Sequence, residues 1–204
     1  MIGKNVFIHP KALVEEGAEI GHNTRIWANV HVLSGAKIGN DCNICDFSFI
    51  ENGVQIGSSV TVKNGVQLYE GMTIEDGVFI GPNAVFTNDM FPRAFRKLPK
   101  QEWLKPTLLK QGCTIGANTT ILCGQTIGRY SFIGAGALVT KNVPDFGLVL
   151  GVPARFHSWI CQCATKLVFG KNQKQTTCLR CKWIYKLSKD KRSLIQTPLR
   201  QLLR

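Results

Sequence analysis

Branched aliphatics recur along this chain every six residues. The series runs Ile2, Ile8, Val14, Ile20, Ile26, Val32, Ile38, Ile44, Ile50, Ile56, Val62, Leu68, Ile74, Ile80, Phe86, and resumes one residue out of register at Leu109, Ile115, Ile121, Ile127, Ile133, Val139. Neither a helix (period 3.6) nor a simple alternating strand (period 2) generates this beat. A hexapeptide repeat predicts a parallel β-helix in which each six-residue unit forms one flat side of a coil. Four residues after each aliphatic stands a small or modest side chain, such as Ala18, Thr24, Ala36, Cys42, Ser48, Ala84, Cys113 or Ala137. The aliphatic fills the interior and the second position fits the tight corner. Three sides make an 18-residue coil, so the fold is all-β with about seven coils. Rungs stack at roughly 4.8 Å and bury one continuous aliphatic column, and none is stable alone.

The segment 87–108 abandons the beat and carries Pro92, Pro99, Pro106 and a cluster of cations that includes Arg93, Arg96 and Lys97. It reads as an inserted loop in a body that spans 1–155. Long loops in compact domains are often functional. Residues 18 apart lie above one another, which makes Ser34, Asn52, Glu70 and Asn88 one polar ladder and Glu51, Tyr69 and Thr87 another. Most outward polar residues on a β-helix are simply solvated. These differ because Glu70, Asn88 and Asp89 converge at the base of the cationic loop, beside Tyr69. That combination suits a polar, anionic small molecule. His31 suits a base or a substrate contact, and a purely structural role fits it equally well. Cys42, Cys45, Cys113 and Cys123 read as packing residues.

Net charge changes the picture only at the C-terminus. The chain carries 25 Lys/Arg and 13 Asp/Glu, but beyond Ala154 the only acid is Asp190. The main body is nearly neutral, so no nucleic-acid partner is expected. The opening MIGKNVFIHP lacks the long apolar stretch of a signal peptide, which leads to the expectation of a cytoplasmic protein. Within 156–186, Cys161, Cys163, Cys178 and Cys181 form two close pairs that match a four-thiolate zinc site, a small zinc-ribbon-like appendage. Four ordinary thiols are the alternative. The basic tail, 187–204, is open to an anionic membrane surface, a protein contact or plain solvation, and solvation is the favoured reading.

Specific segments narrow the reading. The stretches RIWANVHVLSGAKIGNDCNICDFSFIEN, VTVKNGVQLYEGMTIEDGVFIGPNAVFTNDMFPRA and GCTIGANTTILCGQTIG, with IGAGALVTKNVP and GVPAR, resemble the left-handed β-helix acyltransferases. Within these they look like the sugar-nucleotide N-acyltransferases that acylate the 3-amino group of dTDP-3-amino-3,6-dideoxyhexoses or of a related UDP-sugar in surface polysaccharide biosynthesis. The resemblance covers about residues 5–155. It implies a left-handed coil, acetyl-CoA or another acyl-CoA as donor, a nucleotide-sugar acceptor, and a homotrimer with active sites between subunits. It implies catalytic roles for Glu70, Asn88 and Asp89, and substrate contacts at His31, Glu51, Asn52, Tyr69 and Arg93. Coenzyme contacts would come from Gly116, Ala117, Gly134, Ala135, Lys141, Ala154 and Arg155. Asn29 and Phe47 depart from the pattern and bear on which sugar is accepted. Two competing classes are an O-acetyltransferase of another small acceptor and a non-catalytic scaffold whose cysteine module binds a partner.

Overall fold

The six-residue beat becomes a three-walled parallel solenoid in the computed structural model, which describes residues 1–96, 98–189 and 193–197. Most strands are two residues long and consist of one outward residue and one buried aliphatic, as in Arg25–Ile26 and Asn43–Ile44. The first wall stacks Phe7–Ile8, Arg25–Ile26, Asn43–Ile44, Thr61–Val62, Phe79–Ile80, Thr114–Ile115, Phe132–Ile133 and Gly147–Leu150 in parallel. It therefore has eight rungs where about seven coils were expected. The extra rung is Gly147–Leu150, which follows the end of the sequence repeat. The second wall runs from Leu13–Val14 through His31–Val32, Phe49–Ile50 and Gln67–Leu68, then continues as a separate sheet from Val85–Phe86 to Leu138–Val139. The third runs from Glu19–Ile20 to Thr126–Ile127.

The core is a column of the repeating aliphatics. Ile26, Ile44, Val62, Ile80, Ile115 and Ile133 are fully buried. Each such side chain contributes about 1.5–3 kcal/mol of burial. The small second position also faces inward, and its hydroxyls find partners there. Thr24 Oγ1 donates to Gly39 O (2.8 Å), and Ser131 Oγ donates to Gly128 O (2.7 Å). Cys113 packs at the same kind of position, and burial pushes its thiol pKa up to about 12. The expectation that the body cysteines are packing residues accords with their burial.

Corners between the first and second walls form a column of left-handed residues at Asn29, Phe47, Gly65, Asn83, Asn118 and Gly136. Asparagine and glycine tolerate this conformation. Phe47, at φ 61°, is the bulky exception, and its ring is largely exposed.

The insertion enters after Phe86 and returns at Thr107. Ile74 pairs with Leu109, 35 positions on, and the pairs of the other walls that span the insertion have the same separation, whereas Ile56 and Ile74 below it pair 18 apart. The offset in the aliphatic series is thus a lengthened corner, and stacking of the walls resumes beyond it. Among the described residues of the loop, the one helix is the short turn Lys100–Trp103.

At the far end, Gly147–Leu150 pairs antiparallel with Arg155–Trp159 and carries the chain off the solenoid. A small sheet follows, in the order Gln175–Thr177, Ile184–Leu187, Leu194–Thr197. Its last strand lies in the segment expected to be a solvated tail. Leu194 is buried beside Tyr185, which is what recruits the strand. Residues 190–192 and 198–204 of the basic tail lie outside the described residues, as does Lys97 in the loop.

Candidate active site

The lengthened corner folds into a cleft of about 720 Å³ lined by Asn88, Asp89, Phe91, Arg93, Arg96, Leu98 and Trp103. Its base is tied to the solenoid. Cys123 N–H donates to Thr87 Oγ1 (3.0 Å), Lys105 N–H donates to Asn88 O (3.0 Å), and Asp89 bridges to Leu104. One Asp89 oxygen accepts from Phe91 N–H at 2.8 Å, a local turn that fixes the carboxylate. Asp89 therefore faces the cleft from a rigid anchor, with two guanidinium side chains and two aromatic rings around it. Of the residues expected here, Asn88, Asp89 and Arg93 are brought together.

Glu70 is not part of that lining. It stands on the ladder above Asn52, whose amide in turn lies against Gly35. Its carboxylate is held by Lys100 of the loop's short helix. Glu51 has a bracing role, with its Oε2 accepting the backbone N–H of Glu70 at 2.7 Å. Tyr69 continues an aromatic column down the second wall, 6.3 Å from Phe49, which lies 5.6 Å from His31.

His31 Nε2 is 2.7 Å from Glu15 Oε1. The other Glu15 oxygen accepts from Ser34 N–H at 3.0 Å. The Ser34 amide first, and His31 second, hold the Glu15 carboxyl below its ordinary value. The rungs of His31 and Val85 are three apart, about 14 Å at the spacing of stacked strands. This histidine is not gathered with Asn88 and Asp89 within one chain. Sequence reasoning missed Lys100, Trp103 and the partnership of Glu15.

At the solenoid's end, Lys141, Ala154 and Arg155 line a second cleft of about 320 Å³ with Asn142, Val149 and Phe156. Gly116, Ala117, Gly134 and Ala135 are not among its lining residues. They occupy successive corners, where a Cβ on Gly116 would sit 2.5 Å from the Ala135 nitrogen. Stacking alone thus requires glycine at 116.

The four C-terminal cysteines also meet. Cys161 Sγ lies 3.2 Å from Cys181 Sγ and 3.4 Å from Cys163 Sγ, and Cys163 Sγ lies 3.6 Å from Cys178 Sγ. Burial opposes ionisation of Cys163, but contacts with the Thr165 hydroxyl and backbone outweigh it, and its thiol is lowered to about 6. Burial pushes Cys161 upward.

Comparison with known proteins extends this picture. Residues 1–34 and 17–52 match the bacterial transferase hexapeptide (six repeats) family, and 35–70 and 111–141 match the hexapeptide repeat of succinyl-transferase. A dTDP-3-amino-3,6-dideoxy-α-D-galactopyranose 3-N-acetyltransferase from Aneurinibacillus thermoaerophilus is 52% identical over 178 residues, covering 84% of this chain and 88% of that protein. The bifunctional protein GlmU of Carboxydothermus hydrogenoformans is 27% identical over 175 residues, 74% of this chain and 37% of that one. Among solved structures, a Bacillus cereus N-acyltransferase in complex with dTDP and coenzyme A shares the fold at 21% identity and a TM-score of 0.50, covering 78% of this chain and 82% of that one. The extent of identity to the Aneurinibacillus enzyme decides the assignment: this chain belongs to the hexapeptide-repeat sugar-nucleotide N-acetyltransferases.

Proposed function

We propose that the protein transfers an acetyl group from acetyl-CoA to the 3-amine of a dTDP-3-amino-3,6-dideoxyhexose, with the galacto sugar as first candidate. The carrying observation is the 52% identity, over most of both chains, to an enzyme named for that reaction. The loop cleft supports it chemically. Arg93 and Arg96 suit a diphosphate, Phe91 and Trp103 suit a base, and Asp89 suits an amine.

In this reading the neutral amine attacks the thioester carbonyl directly. The N–C bond forms, the C–S bond breaks as the tetrahedral species collapses, and the amine proton passes through Asp89 to the departing thiolate. Asn88 orients the amine and Glu70 assists once Lys100 releases it. Backbone N–H groups stabilise the oxyanion. Proximity supplies much of the acceleration. Lys141 and Arg155 in the end cleft meet coenzyme phosphates.

The reading includes the left-handed winding and a homotrimer. Phe91 and Phe95 project from the loop and are strongly exposed, which suits cover by a neighbouring subunit. The column Glu15, His31, Phe49, Tyr69 would then face a neighbour's loop. Light scattering should return three times the 22.6 kDa chain mass.

The deciding experiment follows thiol release from acetyl-CoA with a panel of amino sugars. The 3-amino dTDP-sugar should be preferred over its 4-amino isomer and over UDP-linked amines. Asn88→Ala and Asp89→Asn should each lower turnover by about two orders of magnitude or more. Failure to release thiol with any amine of the panel would overturn the enzymatic reading, and near-normal rates in both variants would overturn the site.

A further inference from the structure

We propose that Cys161, Cys163, Cys178 and Cys181 bind one Zn(II) in a closed four-thiolate site that clamps the C-terminal module onto the end of the solenoid. The four Sγ atoms all lie within 4.8 Å of one another. Zinc–sulfur bonds of about 2.3 Å in a tetrahedron place the sulfurs about 3.8 Å apart, close to the distances found. The sulfurs are too far apart to be bonded as disulfides, and all four are free thiols. A set of four sulfurs at tetrahedral spacing selects zinc or an iron–sulfur centre, and a full protein ligand set marks a structural rather than a catalytic site.

Two independent features point the same way. A zinc tetrathiolate carries two negative charges. Residues 155–186 contain Arg155, Lys166, Lys171, Lys174, Arg180, Lys182 and Lys186 and no Asp or Glu, so the surroundings offset it. The Tyr185 hydroxyl, fully buried, reaches Cys161 Sγ at 3.1 Å, where it can donate to a thiolate. The second feature is size. The module is about 40 residues long, around the length below which single domains usually need metal or disulfide support. Among the described residues, its buried apolar side chains besides the cysteines include Leu167, Tyr185, Ile184 and Leu194, with Trp159, Phe169, Trp183 and Leu187 only partly buried against them.

The clamp has a definite joint. Phe146, the last left-handed corner of the solenoid, stacks on Tyr130 at 5.6 Å and meets Tyr185 edge-on at 5.4 Å. Cys161 lies two residues beyond the strand Arg155–Trp159. The metal would therefore hold that strand, and with it Ala154, Arg155 and Phe156, against the solenoid's end.

Elemental analysis of the purified full chain tests this without reference to acetyl transfer. One zinc per chain is expected, with no iron, and Cys178→Ser should lose it. Because that variant can fail to fold, the wild type is also refolded with Co(II), where thiolate-to-cobalt charge-transfer bands and tetrahedral d–d bands should appear. Chelation should open the chain to proteases within 160–186 while 1–150 stays intact. Iron in place of zinc would overturn the proposal. So would a metal-free protein whose four thiols react at once and which shows no cobalt spectrum.

Discussion

The Lys100–Glu70 pair makes a competition that can be measured. Lys100 sits on the inserted loop and Glu70 on the ladder beneath it, with side chains 53% and 30% exposed. An exposed pair of this kind is worth about 0.2–1 kcal/mol, because solvent screens the Coulomb attraction and two long side chains are immobilised. Lys100→Met keeps the aliphatic stem and removes the charge. Stability should barely change, with Tm lower by no more than about 4 °C for a chain of this size. An acceptor amine that uses Glu70 would no longer have to displace an ammonium. Its KM should fall by the same 0.2–1 kcal/mol, about 1.4- to 5-fold. KM for acetyl-CoA should not move. The assay is initial-rate thiol release at varied amino sugar, for Lys100→Met, Glu70→Gln and the double variant. In the Glu70→Gln background Lys100→Met should have no effect. A raised KM in the single variant, or the same fall in both backgrounds, refutes the idea that Lys100 guards Glu70.

Three further outcomes follow from geometry described above. Phe47 holds φ 61° with an exposed ring, so Phe47→Gly should relieve about 1–2 kcal/mol of left-handed strain against an entropic cost of about 0.5–1; urea unfolding should show a net gain of about 0–1.5 kcal/mol. Ile80 is fully buried and Ile8 is 37% exposed at the open first coil, so Ile80→Ala should cost about 2–5 kcal/mol and Ile8→Ala distinctly less, by the same measurement. The Glu15 carboxyl is held below 4.5 by the Ser34 amide and His31; its stabilising contribution is complete above that pH and is lost as pH falls through the lower folded value. Acid unfolding of Glu15→Gln should therefore be less steep than that of the wild type, and superimposable curves would contradict the sign.

The fold was legible because every rung repeats one instruction. A wrong register would expose the whole aliphatic column, so the six-residue beat leaves little freedom. The lower polar ladder of Ser34, Asn52 and Glu70 was legible for the same reason, but its next step, over Gly71, is taken by Leu104, and Asn88 lines the loop cleft with Asp89 instead. Lys100 was not legible, because the loop has no period and the short helix that aims it depends on tertiary contact. The Glu15–His31 contact was hidden by its 16-residue separation, which crosses from one rung to the next and evades an 18-residue ruler. Leu194–Thr197 is too short, and too close to a charge-rich run, for its alternation to stand out. The eighth rung follows a proline-bearing segment where the beat has already stopped, so only the stacking of Val149 on Ile133 reveals it.

The lengthened corner between Phe86 and Thr107 leaves every wall's stacking to resume on the next rung. Closing a loop of about twenty residues in place of a three-residue corner costs only about 2 kcal/mol in chain entropy. Such a scaffold is nearly indifferent to what is spliced into that corner. Acceptor choice can then drift by exchanging one loop, while the thermodynamic burden of folding stays with the buried aliphatic column of the rungs, which no substrate reaches.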